Sequence, residues 1–485
     1  MPEIILDIAE VKKRSLVGVL ALTSRTLIIQ IISFIATFAL TVFLDPSIYG
    51  IFFLVSSVVN FLAYFSDIGL AAALIQKKGN ISRDDLVTTF SIQQVMVVTL
   101  LLILFVLTPQ IKMFYHISSV GIYLMWAMGI SLFLSSLKTV PSVILEREIQ
   151  FNKLIIPQIA ETLVFNITAV YLAWRGWGIN TFTVAVLLRG IVGLIAMYIV
   201  SPWKPGFGIN KTSLSHLLKF GLPYQANTFM AVIKDDGMTI LLGKIIGTTG
   251  LGYIGWASRW ANMPLRIFMD NVTKVAFPAF SRMQHDPVHL KRAIEQSIKY
   301  LTLIVFPIFV VMAILASPIV NLIPRYGKWS PAIIPLYLYL FNAAWASIST
   351  MMTNALNAIG KIKTTFKLMV MWTILTWALM PFMAIRWGYV GVSIAVGLIA
   401  LSSLVVVILL KQIVNFSINN SLKTPFLASL TLGVILILLR TQATTFIAVT
   451  LILLGGGLSY VITIYALEGK KFIYDTISYF RPNHA

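Results

Sequence analysis

The chain has 485 residues, 58% of them hydrophobic and 11% charged; a soluble domain carries about a quarter charged residues, so a soluble enzyme or binding module of this length is excluded. The net charge of +20 would suggest nucleic acid in a soluble chain. In a multi-spanning membrane protein it reads instead as cytoplasmic-loop lysine and arginine facing anionic headgroups, so membrane lipids, and no nucleic acid, are the expected partners.

Residues 3–15, EIILDIAEVKKRS, read as a short amphipathic helix on the inner surface, with no cleavable signal apparent. About fourteen apolar segments follow, each near the roughly 20 residues a span needs. They lie near 17–44, 50–75, 86–108, 119–145, 154–174, 181–201, 220–243, 253–281, 298–323, 332–359, 368–385, 389–410, 426–439 and 445–467, the thirteenth being the shortest. With both termini cytoplasmic, 23 of the 37 lysines and arginines fall inside, 7 outside and 7 within spans, as the positive-inside rule requires. The turns at 43–50 (FLDPSIYG) and 245–252 (IIGTTGLG) each end in glycine and lie six spans apart. An all-α integral membrane protein is expected, with two six-helix bundles as an internal repeat, 1–215 and 216–410, then a helical pair with a cytoplasmic tail, 411–485. Such repeats give alternating access to a central site. Loops are short, leaving no room for a catalytic domain of about 50 residues or more. The absence of cysteine removes disulfides and thiolate metal sites.

Residues 231–243, AVIKDDGMTILLG, place Lys234, Asp235 and Asp236 in succession inside the seventh span. On a helix they project about 100° apart, roughly 20 Å from its inner end. Either Lys234 pairs locally with an acid and Gly237 kinks the helix, or the helix lines a hydrated cavity. The eighth span favours the cavity. Arg259, Arg266, Asp270 and Lys274 fall within an arc of about 80°, with Asn262 and Thr273 beside them and Pro264 a point of kinking. A central charge costs at least roughly 2.5–3.5 kcal/mol to insert, so lipid does not face such a row. A buried Arg266–Asp270 salt bridge would account for only two of the four.

Other spans carry milder polar rows. Arg25 precedes Gln30, Ser33, Thr37 and Thr41 in the first, and Asn60, Tyr64 and Asp67 share a face in the second. The fifth has Gln158, Glu161, Thr162 and Asn166, the sixth Arg189, and the tenth Ser347, Thr350, Asn354 and Asn357. Ser, Thr and Asn rows serve equally as helix–helix contacts, and Arg25 is long enough to snorkel to the surface. The substrate-binding candidates are therefore Arg25, Arg189, Lys234, Arg259, Arg266 and Lys274. The carboxylates available for coupling to H+ or Na+ are Asp67, Glu161, Asp235, Asp236 and Asp270. One of Asp235 and Asp236 is expected to pair with Lys234 while the other exchanges a proton, with Asp67 as second choice. No histidine lies in a span. No catalytic residue, metal or other cofactor is expected, and the net cationic interior suits a large polar, anionic cargo.

Residues 44–76, LDPSIYGIFFLVSSVVNFLAYFSDIGLAAALIQ, have a P-x-x-YG turn and a D-x-GL-x-x-A-x-IQ end. Together with LLKFGLPYQANTF, LLGKIIGTTGLGYIGWASRWANMPLRIF and VAFPAFSRMQHD in 217–286, they resemble the Wzx-type lipid-linked oligosaccharide flippases. These belong to the multidrug/oligosaccharidyl-lipid/polysaccharide exporter superfamily, and the likeness is greatest to the branch handling colanic-acid-like exopolysaccharides. It runs in order over about residues 12–323, and the last third is generic. The resemblance implies two six-helix bundles with two further helices. It also implies movement of undecaprenyl-diphosphate-linked repeat units to the outer leaflet of the cytoplasmic membrane, for export of O-antigen or exopolysaccharide. That glycan, a polysaccharide polymerase and chain-length machinery are then the expected partners. Where the family commonly has an acid one turn beyond Lys234, this chain has Met238.

The implication is physically coherent. A sugar diphosphate cannot shed its hydration into hydrocarbon, and arginine binds phosphate bidentately where lysine does not. A lipid II flippase or a drug/cation antiporter of the same superfamily is the alternative, though an antiporter favours an acidic cavity. A membrane polysaccharide polymerase or ligase is more remote, because it needs a large outer loop with clustered His, Arg or Asp.

Overall fold

The computed structural model describes residues 29–480, which are helical with no strand among them. Arg25 and the amphipathic helix expected over 3–15 lie outside the described residues. In chain order the helices are α1 (Ile29–Phe43), α2 (Pro46–Ala63), α3 (Leu70–Gln76), α4 (Arg83–Tyr115), α5 (Ser119–Ser136), α6 (Thr139–Arg147), α7 (Phe151–Trp174), α8 (Asn180–Val200) and α9 (Lys211–Val232). Then come α10 (Met238–Arg282), α11 (Pro287–Leu322), α12 (Ile333–Ala358), α13 (Ile362–Leu401), α14 (Leu404–Lys411), α15 (Ile418–Leu439) and α16 (Phe446–Phe480).

Helix starts follow local chemistry. Pro46 opens α2 directly after Asp45, as its fixed φ and missing N–H favour. At α4 the Asp85 N–H donates to Ser82 Oγ at 3.2 Å while the Ser82 N–H donates to Asp85 Oδ2 at 2.9 Å, a reciprocal capping box. Asn210 and Ser417 cap α9 and α15. Asp286 caps α11 ahead of Pro287. The backbone N–H and ring of His289, with the N–H of Val288, hold its carboxyl below the usual carboxylate range.

Among the described residues, eleven helices are long and apolar enough to cross a membrane, and Ile29–Phe43 is shorter. Two of the eleven, Phe229–Arg282 with 54 residues and Ile362–Lys411 with 50, exceed one crossing. Each is interrupted by a glycine in the left-handed region, Gly247 (φ 68°) and Gly388 (φ 58°). The count of eleven therefore differs from the fourteen expected, which takes each long run as two spans and includes the first. The thirteenth segment is longer than the sequence pattern suggests, 25 residues over Ile418–Gln442. Three spans read as continuous are broken: 50–75 at Ile68 (φ 48°) and Gly69 (φ 75°), 119–145 at Leu137–Lys138, between α5 and α6, and 389–410 at Ser402–Ser403, between α13 and α14.

The chain divides into two compact units, Met1–Gly252 and Tyr253–Ala485. Residues 211–252 group with the first unit rather than beginning the second, and close backbone approaches explain it. A Cβ on Gly50 would strike the Thr248 carbonyl, and one on Gly252 would strike the Pro46 carbonyl. The two turns that the sequence pairs as repeat equivalents thus lie against each other. At the other end of α2, Gly69 and Gly221 meet in the same way, bringing α9 onto α3.

The second unit is organised around α11, α15 and α16. Leu303, Leu315, Leu432, Leu436 and Ile452 form its buried core, and Tyr460 donates to the Leu303 carbonyl at 2.6 Å. Trp256 stacks on Trp329 at 5.5 Å and donates from Nε1 to the Tyr326 hydroxyl at 3.1 Å.

Candidate functional site

In the first unit, Ile233–Gly237 forms a single π-helical turn between α9 and α10, rather than an α-helix kinked at Gly237. Such turns concentrate at functional positions. This one separates the two acids. Lys234 Nζ donates to Asp235 Oδ1 at 2.7 Å, and the Asp235 side chain is 69% exposed. The Asp236 carboxylate instead lies beside the neutral side chains of Ser57 and Asn60 of α2. Met238, where the resemblance leads to the expectation of an acid, is buried. The sequence leaves open which acid takes the lysine; the geometry assigns it to Asp235.

The polar face of α2 is engaged by its neighbours. The Tyr64 hydroxyl donates to the Gln225 carbonyl, Gln225 Nε2 donates back to the Tyr64 carbonyl, and the Tyr64 ring stacks on Phe229 at 5.5 Å. Asp67 serves as a helix cap, its Oδ1 accepting from the Ala71 N–H at 3.2 Å.

A second charged group in this unit joins three helices. Glu161 of α7 accepts from the Lys138 ammonium at the α5–α6 break, and its other oxygen lies 3.6 Å from Arg189 Nε of α8. Lys138 is absent from the sequence-based candidates. The available signal was its being one of seven basic residues inside spans, the other six of which are candidates.

In the second unit, Arg259, Arg266, Asp270 and Lys274 are all exposed along one face of α10. The opposite arc, Ile254, Ala257, Ala261 and Leu265, is buried. Counting from the break at Gly247, Arg259 and Arg266 lie about 18 and about 28 Å along the helix, within hydrocarbon depth. Arg266 and Asp270 are exposed rather than buried. A helix facing lipid keeps its apolar side outward, whereas this one packs its apolar side and presents charge, the pattern of a water-lined wall. Thr273 accepts from Asn354 Nδ2 at 3.2 Å and Asn357 Oδ1 accepts from Thr365 at 2.6 Å, so these members of the polar rows act as helix contacts. Among the described residues, no cluster of three His, Asp or Glu is placed to hold a metal. Each unit carries charged side chains along its apolar segments: Lys138, Glu161, Arg189 and Lys234 in the first, and Arg259, Arg266, Asp270 and Lys274 in the second.

Known proteins resemble this chain in sequence and in fold. The chain is similar to the succinoglycan biosynthesis transport protein ExoT of Rhizobium meliloti, with 23% identity over 303 residues. That match covers 62% of this chain and 58% of the relative's own length. Among solved structures the fold resembles the lipid II flippase MurJ in an inward closed conformation: TM-score 0.74, 18% identity, 93% of this chain and 99% of that one. It also resembles an inward-facing multidrug resistance transporter of the MATE family: TM-score 0.62, 14% identity, 81% and 98% covered. At these identities the structures establish a shared fold and leave activity and cargo open. The family model described as polysaccharide biosynthesis protein matches residues 39–334, and over that majority of its length the chain belongs to the polysaccharide biosynthesis protein family.

Proposed function

We propose that the chain is a flippase that carries undecaprenyl-diphosphate-linked oligosaccharide repeat units from the inner to the outer leaflet by alternating access, supplying export of O-antigen or exopolysaccharide. The observation that carries this reading is the exposed row of three cations and one acid on α10 in a polysaccharide biosynthesis family member. A diphosphate needs fixed positive charge where bulk water is absent, and Arg259 and Arg266 supply planar donor forks that match phosphate oxygens. Lys274 extends the row, and the lipid tail stays in the bilayer. Non-covalent translocation of this kind forms no bond in the cargo, so the protein acts as a transporter rather than an enzyme.

The reading places the chain in the cytoplasmic membrane with both termini inside, as the charge bias supports. Two six-span lobes with a following helical pair form the moving parts. Coupling to H+ or Na+ runs through the intramembrane carboxylates, with Asp236 foremost. A polysaccharide polymerase and chain-length machinery act on the emerging glycan. In a bacterium deleted for its own repeat-unit flippase, and supplied with the matching glycosyltransferases, this chain is expected to restore surface polymer. Continued accumulation of lipid-linked repeat units inside, with the protein correctly inserted, would refute the proposal.

A further inference from the structure

Arg189 stands nine residues into the 21-residue α8, about 14 Å from one end and about 17 Å from the other. Its side chain is 52% exposed. Leu188, Ile191, Ile195 and Ile199 form the exposed apolar stripe of that helix, and Arg189 lies about 100° round from the stripe's centre. Its closest charged partner, Glu161, is 3.6 Å from Nε, beyond hydrogen-bond reach. A guanidinium carries five donors, and a mid-membrane cation with unspent donors requires water or an anion.

The reason it makes an ion-pair contact with Glu161 but no hydrogen bond is local. Glu161, only 14% exposed, is already held by the Lys138 ammonium, itself 12% exposed. The helix packing fixes the carboxylate further, because a Cβ at Gly193 would overlap it. Lys138 reaches this position because the chain breaks between α5 and α6 immediately before it. The break is anchored independently: Gln93 Nε2 donates to Thr139 Oγ1 at 2.9 Å, and Tyr198 donates to the Leu137 carbonyl at 3.1 Å. The three charges sum to one positive charge, which resides on the exposed member. Phe165 lies under that guanidinium, 5.9 Å from ring centre to Cζ.

We propose that Arg189 is an anion-binding arm of the first unit, taking a phosphate or diphosphate headgroup, and that Lys138 is the positioning residue that keeps it available by occupying Glu161. The arm rests on the flippase reading only for the identity of its natural ligand. Without Lys138, Glu161 would draw Arg189 into a closed pair and cancel the positive charge. Removing Glu161 as well would release the arm again.

The test uses purified full-length protein and farnesyl diphosphate as probe, with farnesol as the same chain lacking the anion. Losing one charge-assisted contact is expected to weaken farnesyl diphosphate binding on the order of tenfold or more, in both Arg189→Gln and Lys138→Met. Glu161→Gln is expected to bind at least as tightly as the unmodified protein. The double variant Lys138→Met/Glu161→Gln is expected to return to within about threefold of it, a non-additive recovery diagnostic of coupled sites and one that a misfolded chain does not give. Farnesol binding should be the same throughout. The proposal is overturned if Lys138→Met binds normally, if the double variant is as weak as Lys138→Met, or if farnesol binding falls in parallel. Glycan export measured with the same variants separates the two readings. A chain that follows the binding order but exports nothing keeps the arm and loses the flippase, and an exporting chain that breaks the binding order does the reverse.

Discussion

Replacing Arg259 or Arg266 with alanine is expected to reduce glycan export at least about tenfold, with insertion and abundance unchanged. A hydrogen bond to a charged group contributes about 1.5–3 kcal/mol, and about 1.4 kcal/mol is a factor of ten. Both side chains are exposed on the face of α10 opposite its packed residues Ala257, Ala261 and Leu265, so truncation removes charge without opening a core cavity. Arginine-to-lysine exchange at either position should recover less than charge counting suggests, because lysine lacks the planar fork. Quantified surface polymer against membrane-inserted protein measures both effects. Wild-type export by both alanine variants would show that the cargo does not use this row.

The second large effect is expected at Asp236. Asp235 is committed to Lys234 at 2.7 Å, and Asp67 caps α3. Asp236 lies beside the neutral side chains of Ser57 and Asn60, on a helix facing it across the π turn, and the charge next to it is the Asp235 carboxylate. A carboxylate set against neutral side chains and another acid changes charge during a cycle without leaving a cation stranded. Asp236→Asn is therefore expected to abolish the response of transport to an imposed pH gradient in vesicles, and Asp235→Asn to weaken transport without removing that response. If Asp236→Asn, Asp235→Asn and Asp67→Asn all keep full gradient dependence, proton coupling through these carboxylates is wrong.

Much of this is legible in the chain because a bilayer leaves few alternatives. Apolar runs must be helices, and 3.6-residue spacing puts Arg259, Arg266, Asp270 and Lys274 on one face, where the structure places them. What the pattern does not carry is local backbone geometry. A π turn at residues 233–237 has the same composition as an α turn, so the separation of Asp235 from Asp236 is visible only in three dimensions. The break before Lys138 has neither glycine nor proline at Leu137 or Lys138, and without it that lysine reads as one more charge in an apolar run. The reciprocal contacts of Gly50 with Thr248 and of Gly252 with Pro46 explain why both turns end in glycine, a coincidence in sequence but a packing requirement in the fold. The compact units divide at 252 rather than 215 because contact is made by those glycines, which hydropathy does not weigh.

The most direct measurement of the central claim is leaflet exchange in proteoliposomes. Purified protein is reconstituted with undecaprenyl-diphosphate-linked oligosaccharide, and the sugar reachable by an added glycosidase is followed with time. Parallel vesicles carry lipid II or contain no protein. The account predicts that the accessible oligosaccharide rises well above the protein-free level with the unmodified chain, and not with Arg259→Ala. Accessibility that stays at the protein-free level, or that rises for lipid II alone, would contradict it.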